Sequence, residues 1–345
     1  MRMLLLSQGG PSVRKIRIAV VAMLLIAVLG AVAWLFLPRP PVTTARTGVP
    51  ASVGAAALPE WAYPPLVPLI VFDRVVTRHV PGSTLALTKA QIEDDFAPPD
   101  WYPQEHPPLP DVVAHGRPPA VRACMKCHLS NGAGHPESAM LAGLPVNYML
   151  AQITAFQDGT RNNPRAVSMI AVAKAMNDSE ARAAAAYYSA LKPVPWIRVV
   201  VSDRAPVSFV GQGAMRFATP GGASEPIGHR IIELPEDAER AESRDPHSGF
   251  VAHVPTGSIE RGAELVSSGG GRTLQCTTCH GADLKGLADI PSIAGRAPQY
   301  IYRQLADIKS GRRTDLGAAP MKVVVDQLTD DDLIDIAAYL ASRTP

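Results

Sequence analysis

All four cysteines of this 345-residue chain fall in two pentapeptides, Cys124-Met125-Lys126-Cys127-His128 and Cys276-Thr277-Thr278-Cys279-His280, which repeat at a shift of 152 residues. Two cysteines three apart at a helix end project to one side, where their sulfurs can form thioethers with the two vinyl groups of a haem. The residue that follows offers an imidazole to the iron, and C-x-x-C-H is read on that ground as c-type haem attachment. A zinc site needs four ligands, so the two pairs would have to converge on one metal, and both adjacent histidines would then be unexplained. A thioredoxin-like dithiol wants a preceding strand and a βαβ pattern, and neither is evident. The expected cofactor is haem c, two covalently bound, held by Cys124, Cys127 and His128 and by Cys276, Cys279 and His280.

The 152-residue shift holds without a gap well beyond the cysteines. It pairs Gly143 with Gly295, Tyr148 with Tyr300, Gln152 with Gln304, Gly159 with Gly311, Arg161 with Arg313, Met169 with Met321, Asp178 with Asp330 and Tyr187 with Tyr339. So many identities in one register make the chain two copies of one unit. Within each copy the pattern is helical. Tyr148, Ile153 and Phe156 mark a helix over Pro145 to Asp158, and Tyr300, Leu305 and Ile308 mark one over Ala297 to Ser310. Gly159 and Gly311 are expected to stop them. The last helix of each copy opens at Asn177 with Glu180 three on, and at Thr329 with Asp332 three on. A first helix is expected before each motif, over Leu109 to Gly116 and Ser258 to Ser267.

The sixth ligand of each iron separates a carrier from an enzyme. Met169 follows His128 by 41 residues and Met321 follows His280 by 41, both in stretches where a loop could fold over the haem face. A thioether is a soft ligand that favours ferrous iron and raises the potential. A lone methionine is more often a core filler, but equal spacing in two copies points to axial ligation. Met176 is the rival in the first copy; its counterpart is Leu328, so it reads as helix packing. The expected metal ligands are His128, Met169, His280 and Met321. Arg161 and Arg313 recur, and each either pairs with a haem propionate or faces solvent after its helix. The other histidines, His135 and His253 among them, have no counterparts and read as surface or structural residues.

Arg14, Lys15 and Arg17 precede Ile18 to Leu37, an uncharged run of twenty residues, the length a helix needs to cross a bilayer. The basic flank favours a cytoplasmic amino end. Cleavage after Ala31-Val32-Ala33 is the competing reading, although the apolar run continues past it. The net charge of +2 hides an asymmetry, because residues 1 to 40 hold five basic and no acidic groups, against 28 basic and 31 acidic in the remainder. That balance does not indicate a nucleic-acid partner. From Pro38 to Pro119 lie 17 of the 33 prolines, a mostly extended stretch read as a spacer that partly wraps the first haem domain, or else as a partner-docking arm. Thr88 and Gln91 form a capping-box pattern there, opening a short helix through Asp95. Between the copies, Trp196 to Val201 and Ile231-Ile232 are β-prone and suggest a small strand pair, and Glu233 to Arg244 reads as a solvated loop or short helix.

C-x-x-C-H, then Tyr-x-x-x-Gln in a helix, Gly-x-Arg, a Met and a last helix ending Ala-Ala-Tyr together resemble class I c-type cytochromes, and the tandem arrangement is similar to the periplasmic di-haem members. The resemblance covers about residues 105 to 191 and 256 to 343. It implies a mainly α fold of two tandem cytochrome c domains, with a Pro-rich arm and a small β-rich insert, and it implies the ligands named above. It also implies a proline carbonyl that orients the proximal imidazole; Pro291 fits that place, and Ala139 stands there in the first copy. The expected organisation is a basic end (1–17), an anchor (18–37), an arm (38–104), cytochrome domains at 105–192 and 256–345, and an insert at 193–255. The expected function is a bacterial inner-membrane, single-pass electron carrier with its haem domains in the periplasm. It would pass electrons from a dehydrogenase or quinol-oxidising complex to an acceptor such as a terminal oxidase, through redox protein partners and with no catalytic residue. A di-haem peroxidase with one open iron and an assembly subunit that holds a partner through its arm are the alternatives.

Overall fold

The computed structural model describes residues 58–65, 67 and 73–345. Among these, no helix is long and apolar enough to cross a membrane. The expectation of a single-pass inner-membrane protein is corrected accordingly, and the run from Ile18 to Leu37 on which it rested lies outside the described residues.

Each copy is a set of short helices. In the first these are α2 (Asp111–Ala114), α3 (Met125–His128), α4 (Val146–Asp158), α5 (Val167–Ala175) and α6 (Asp178–Ala190). In the second they are α8 (Ser258–Ser268), α9 (Thr277–His280), α10 (Pro298–Lys309), α11 (Ala319–Val325) and α12 (Asp330–Ala341). Their ends follow local chemistry. Asn177 and Thr329 close capping boxes with Glu180 and Asp332, each pairing satisfying two otherwise unbonded N–H groups. Gly159 ends α4 at φ 83°, a left-handed conformation that suits glycine. α10 instead ends on Ser310, with Gly311 just beyond at φ 76°. Helix α2 is a single turn, shorter than its apolar stretch suggests, whereas α8 runs the full span expected.

Helices α8 and α12 pack closely, and a Cβ on Gly262 would overlap the carbonyl of Asp335. Gly262→Ala is therefore expected to cost about 1–3 kcal/mol, the usual range for overpacking, read as a lowered midpoint in chemical unfolding.

The arm carries α1 (Lys89–Ile92), capped by Thr88 and Gln91, and the two-residue strands β1 (Thr77–Arg78) and β2 (Leu87–Thr88). It does not merely wrap the first copy. Trp61 and Tyr63 pack into the core of the second, where the Tyr63 hydroxyl donates to Asp307 at 2.7 Å. Further on, Trp101 donates its indole N–H to the carbonyl of Ser243, in the insert, at 2.8 Å.

The insert is a sheet rather than a strand pair. Strands β3 (Ile197–Val201) and β8 (Ile232–Pro235) never touch; both pair with β9 (Phe250–Val254), β3 in parallel and β8 antiparallel. Between them lie β4 (Arg204–Pro206) paired with β7 (Ser224–Pro226), and β5 (Ser208–Val210) paired with β6 (Arg216–Ala218). The charge-rich stretch after β8 holds the short helix α7 (Ala238–Glu242). One apolar cluster, with Leu129 and Met140 from the first copy, Trp196, Phe217 and Phe250 from the insert and Ala297 from the second copy, binds the three parts together.

Candidate functional site

Both motifs sit on single helical turns, with Cys124 and Cys276 at the amino ends of α3 and α9 in helical conformation. The His128 Nδ1 lies 2.8 Å from the carbonyl oxygen of Ala139, and the His280 Nδ1 lies 2.8 Å from that of Pro291. Each bond makes Nδ1–H the donor and leaves the Nε2 lone pair free for a metal. Ala139 serves as well as Pro291 because the acceptor is the backbone carbonyl, not the ring. Burial lowers the pKa of both imidazoles, which keeps them in the neutral, ligating form. Burial also pushes the Cys124 thiol up to about 12 and the Cys276 thiol up to about 11. No cysteine is in a disulfide, and among the described residues no three His, Cys, Asp or Glu side chains converge as a metal site. The shared zinc site thus has no support.

In the first copy a cavity is walled by Cys124, Cys127 and His128 on one side and reaches Met169, with Ile153, Phe156 and Val172 among its apolar lining. Its chemistry fits a flat apolar macrocycle. At its polar end lies Arg161, whose Nε is buried without a partner and suits an anionic edge such as a haem propionate. Met169 and Met321 stand on helices rather than in loops, each as the third residue, of α5 and α11 respectively. Met321 packs with Cys276 against the core of the second copy. Met176 is buried, as is its counterpart Leu328, in keeping with a packing role, although it too reaches the cavity.

The repeated polar residues meet each other. Arg161 donates to the Gln152 Oε1 at 2.9 Å, to the Tyr300 hydroxyl at 2.9 Å and to the Gln304 Oε1 at 2.7 Å. Arg313 donates to the Gln304 Oε1 at 3.1 Å, to the Gln152 Oε1 at 3.0 Å and to Asp315 at 3.2 Å. Their backbones form an antiparallel bridge, flanked by Asn162 N–H to Arg312 and Thr314 N–H to Thr160. Both guanidiniums are buried, so neither faces solvent. Burial works against the ionised Tyr300, yet the charges of Arg161 and Arg313 outweigh it and hold the phenol below its ordinary pKa. The sequence signal for this contact was present: Tyr, Gln and Arg are polar residues shared by both copies.

The two motifs differ in surroundings. Lys126 is 6% exposed, whereas its counterpart Thr278 is exposed; His135 is 7% exposed and Leu287, its counterpart, 53%. His135 is a core residue set edge-on to Phe250 of the insert. In the second motif His280 is buried, but its neighbours are more open. Cys279 is exposed, and Leu274, Leu287 and Ile290 show their side chains to solvent nearby.

A family model described as cytochrome c matches residues 259–344. The thiosulfate dehydrogenase electron acceptor of Thiomonas intermedia (strain K12) is 27% identical over 229 residues, spanning 66% of this chain and 81% of that one. Cytochrome c-554(548) of Halomonas halodenitrificans is 38% identical over 69 residues, 20% of this chain and 83% of its own. Cytochrome c4 of Pseudomonas aeruginosa is 41% identical over 79 residues, 23% of this chain and 38% of its own. The chain belongs to the cytochrome c family, as a di-haem class I c-type cytochrome. That membership implies covalently bound haem c.

Proposed function

We propose that the chain is a two-haem electron carrier in which the second copy exchanges electrons with a protein partner and the first is an enclosed relay. The observation that carries this is the unequal exposure beside the two motifs: Lys126 and His135 are buried beside the first, whereas Thr278, Cys279 and the apolar Leu287 are exposed beside the second.

Bound haem supplies a one-electron couple at each motif. Cys124 and Cys127, and Cys276 and Cys279, would fix it covalently. His128 and His280 present Nε2, held in orientation by the Ala139 and Pro291 carbonyls. Met169 and Met321 would hold the iron through their thioethers, which would raise the potential and close the site to small molecules. The buried Arg161, Arg313 and Gln152, with the half-buried Gln304, set firm, preorganised dipoles between the copies and would offer the propionates charge-assisted partners. No residue is assigned to bond chemistry. The presence of Met169 in the same cavity as His128 argues against an open-site peroxidase. The name of the Thiomonas relative supports a dehydrogenase as donor, thiosulfate dehydrogenase first among candidates. In this carrier the domains are the haem-binding stretches 105–192 and 256–345 and the insert 193–255.

Leu287→Asp tests the exchange site. Losing one apolar docking contact of about 1.5 kcal/mol is expected to slow second-order reduction by thiosulfate dehydrogenase roughly tenfold in stopped-flow absorbance. Val167→Asp, at an exposed position of the first copy, is expected to leave the rate unchanged. The reverse pattern would move the exchange site to the first copy.

A further inference from the structure

Two carboxylates beside the first haem cavity are used by nothing described so far. Glu137 lines the cavity that holds Cys124, Cys127, His128 and Met169, and its Oε2 is buried without a hydrogen-bond partner. Glu233, on β8 of the insert, is 2% exposed, and neither of its carboxylate oxygens has a partner. A buried, unbonded carboxylate is costly in its charged form, and such a group ordinarily keeps its proton. Glu233 lies close enough to Glu137 to feel its charge. Neither has an equivalent in the second copy, where the exposed Asp289 stands in the place of Glu137.

The charges that face this pair come from every element around it. Arg303 approaches from α10, but its guanidinium donates to the carbonyls of Ala62, at 3.0 Å, and Pro136. Arg165 approaches from the segment before α5, and Arg216 from β6, its Nε buried and unpartnered. Burial raises Glu137 to about 7 against the opposing charges of Arg303, Arg165 and Arg216. Burial, reinforced by the charge of Glu137, raises Glu233 well above its ordinary value, against the opposing charge of Arg303. Glu233 is thus biased towards its protonated form, and Glu137 is the member that titrates near neutral pH; the macroscopic values belong to the pair.

We propose that Glu137, backed by Glu233, is a proton-binding site coupled to the redox state of the first copy, so that this protein carries a proton together with one of its two electrons. The proposal rests on the two-haem reading above. One electron enters the first copy from a one-electron reductant, and one proton from solvent forms an O–H bond on the Glu137 carboxylate. On oxidation both leave, so the local charge is the same before and after. The direction follows from electrostatics: an added electron nearby makes the carboxylate harder to ionise, so the reduced state binds the proton more tightly. The second copy, with Asp289 exposed, has no such site.

The test is a spectroelectrochemical titration of the holoprotein at a series of pH values, with both potentials resolved. The first-copy potential is expected to fall as pH rises through the region around 7, by at most about 59 mV per pH unit, the tenfold-per-unit slope of a one-electron couple. Glu137→Gln is expected to flatten that slope, and Asp289→Asn to keep it. In the wild type, the reduced-minus-oxidised infrared spectrum is expected to gain a protonated-carboxyl carbonyl band that Glu137→Gln lacks, a readout that a purely structural role would not move. A slope and band that survive in Glu137→Gln would overturn the proposal, as would a wild-type spectrum without the band. A chain that holds a single haem would instead sink the two-haem reading, and the haem absorbance of the same samples distinguishes the two failures.

Discussion

Met321→Ala is expected to lower the potential of the second haem by about 200 mV, within the roughly 0.8 V span that axial ligands command, and to open its iron to carbon monoxide. The thioether stabilises ferrous iron, and alanine offers nothing in its place. Met321 is suited to the role by position: it is the third residue of α11 and packs with Cys276 against one core, as Met169 is the third residue of α5 and shares a cavity with Cys124 and His128. If Met321 were only a core filler, its loss would cost stability and leave the potential almost unmoved. Met176→Ala is the matching control, expected to lower stability without changing either potential. A redox titration of the three proteins, followed in the visible bands, decides between ligand and filler.

Glu93→Gln is expected to destabilise the fold by about 3–5 kcal/mol at neutral pH, the range for breaking a buried ion pair from one side. Glu93 ends α1 in the arm with its side chain 5% exposed, and it meets Lys126 at 2.7 Å, Arg244 at 2.6 Å and Lys89 at 3.1 Å. It therefore ties the arm to the first haem motif and to the insert. Burial alone would raise its pKa, but Arg244, Lys126 and Lys89 together outweigh that and hold it at about 2, against an ordinary value of 4.5. Lys126 moves the opposite way from a paired ammonium, down to about 8, because burial and the charge of Arg244 exceed what it regains from Glu93. One carboxylate is shared by three cations, so the carboxylate is over-satisfied and the ammonium under-satisfied.

The sign of the pH dependence follows. The folded pKa lies below the unfolded one, so the stabilisation by Glu93 is fully present above about pH 4.5 and is lost as pH falls towards 2. Denaturant unfolding should accordingly show a large gap between wild type and Glu93→Gln at pH 7 and a much smaller one near pH 3. A gap independent of pH would mean that packing, not charge, is what the substitution removes.

The parts of this molecule that could be read from residues alone are those set by covalent or local chemistry. The C-x-x-C-H motifs needed no tertiary information, and the gapless register located both copies. Asn177 with Glu180 and Thr329 with Asp332 fixed the starts of α6 and α12, because a cap is decided within four residues. What escaped was set at long range. Strand β9 is an alternating five-residue run, Phe250 to Val254, that sits between β8, close before it in the chain, and the more distant β3, so β3 and β8 looked like partners when they share one instead. The cover over the first motif comes from Trp196 and Phe250 on one side and from Arg244 and Glu93 on another, and no local pattern joins these residues. Arg161 and Arg313 stood between propionate and solvent until their burial between the copies removed the second option. The paired methionines were located by spacing, but their helical setting was missed, because short helices such as α5 and α11 carry little periodicity.

The carrier function proposed for this chain requires a pair of closed haem sites, each with a histidine and a methionine. Its most direct test is the optical spectrum of the purified holoprotein, oxidised and reduced, followed by carbon monoxide added to the reduced form. Two haems per chain, both low-spin, with the methionine-to-iron charge-transfer band when oxidised and no response to carbon monoxide, is the predicted result. A high-spin haem that binds carbon monoxide would contradict it, removing Met169 or Met321 from the ligand set and bringing the peroxidase reading forward.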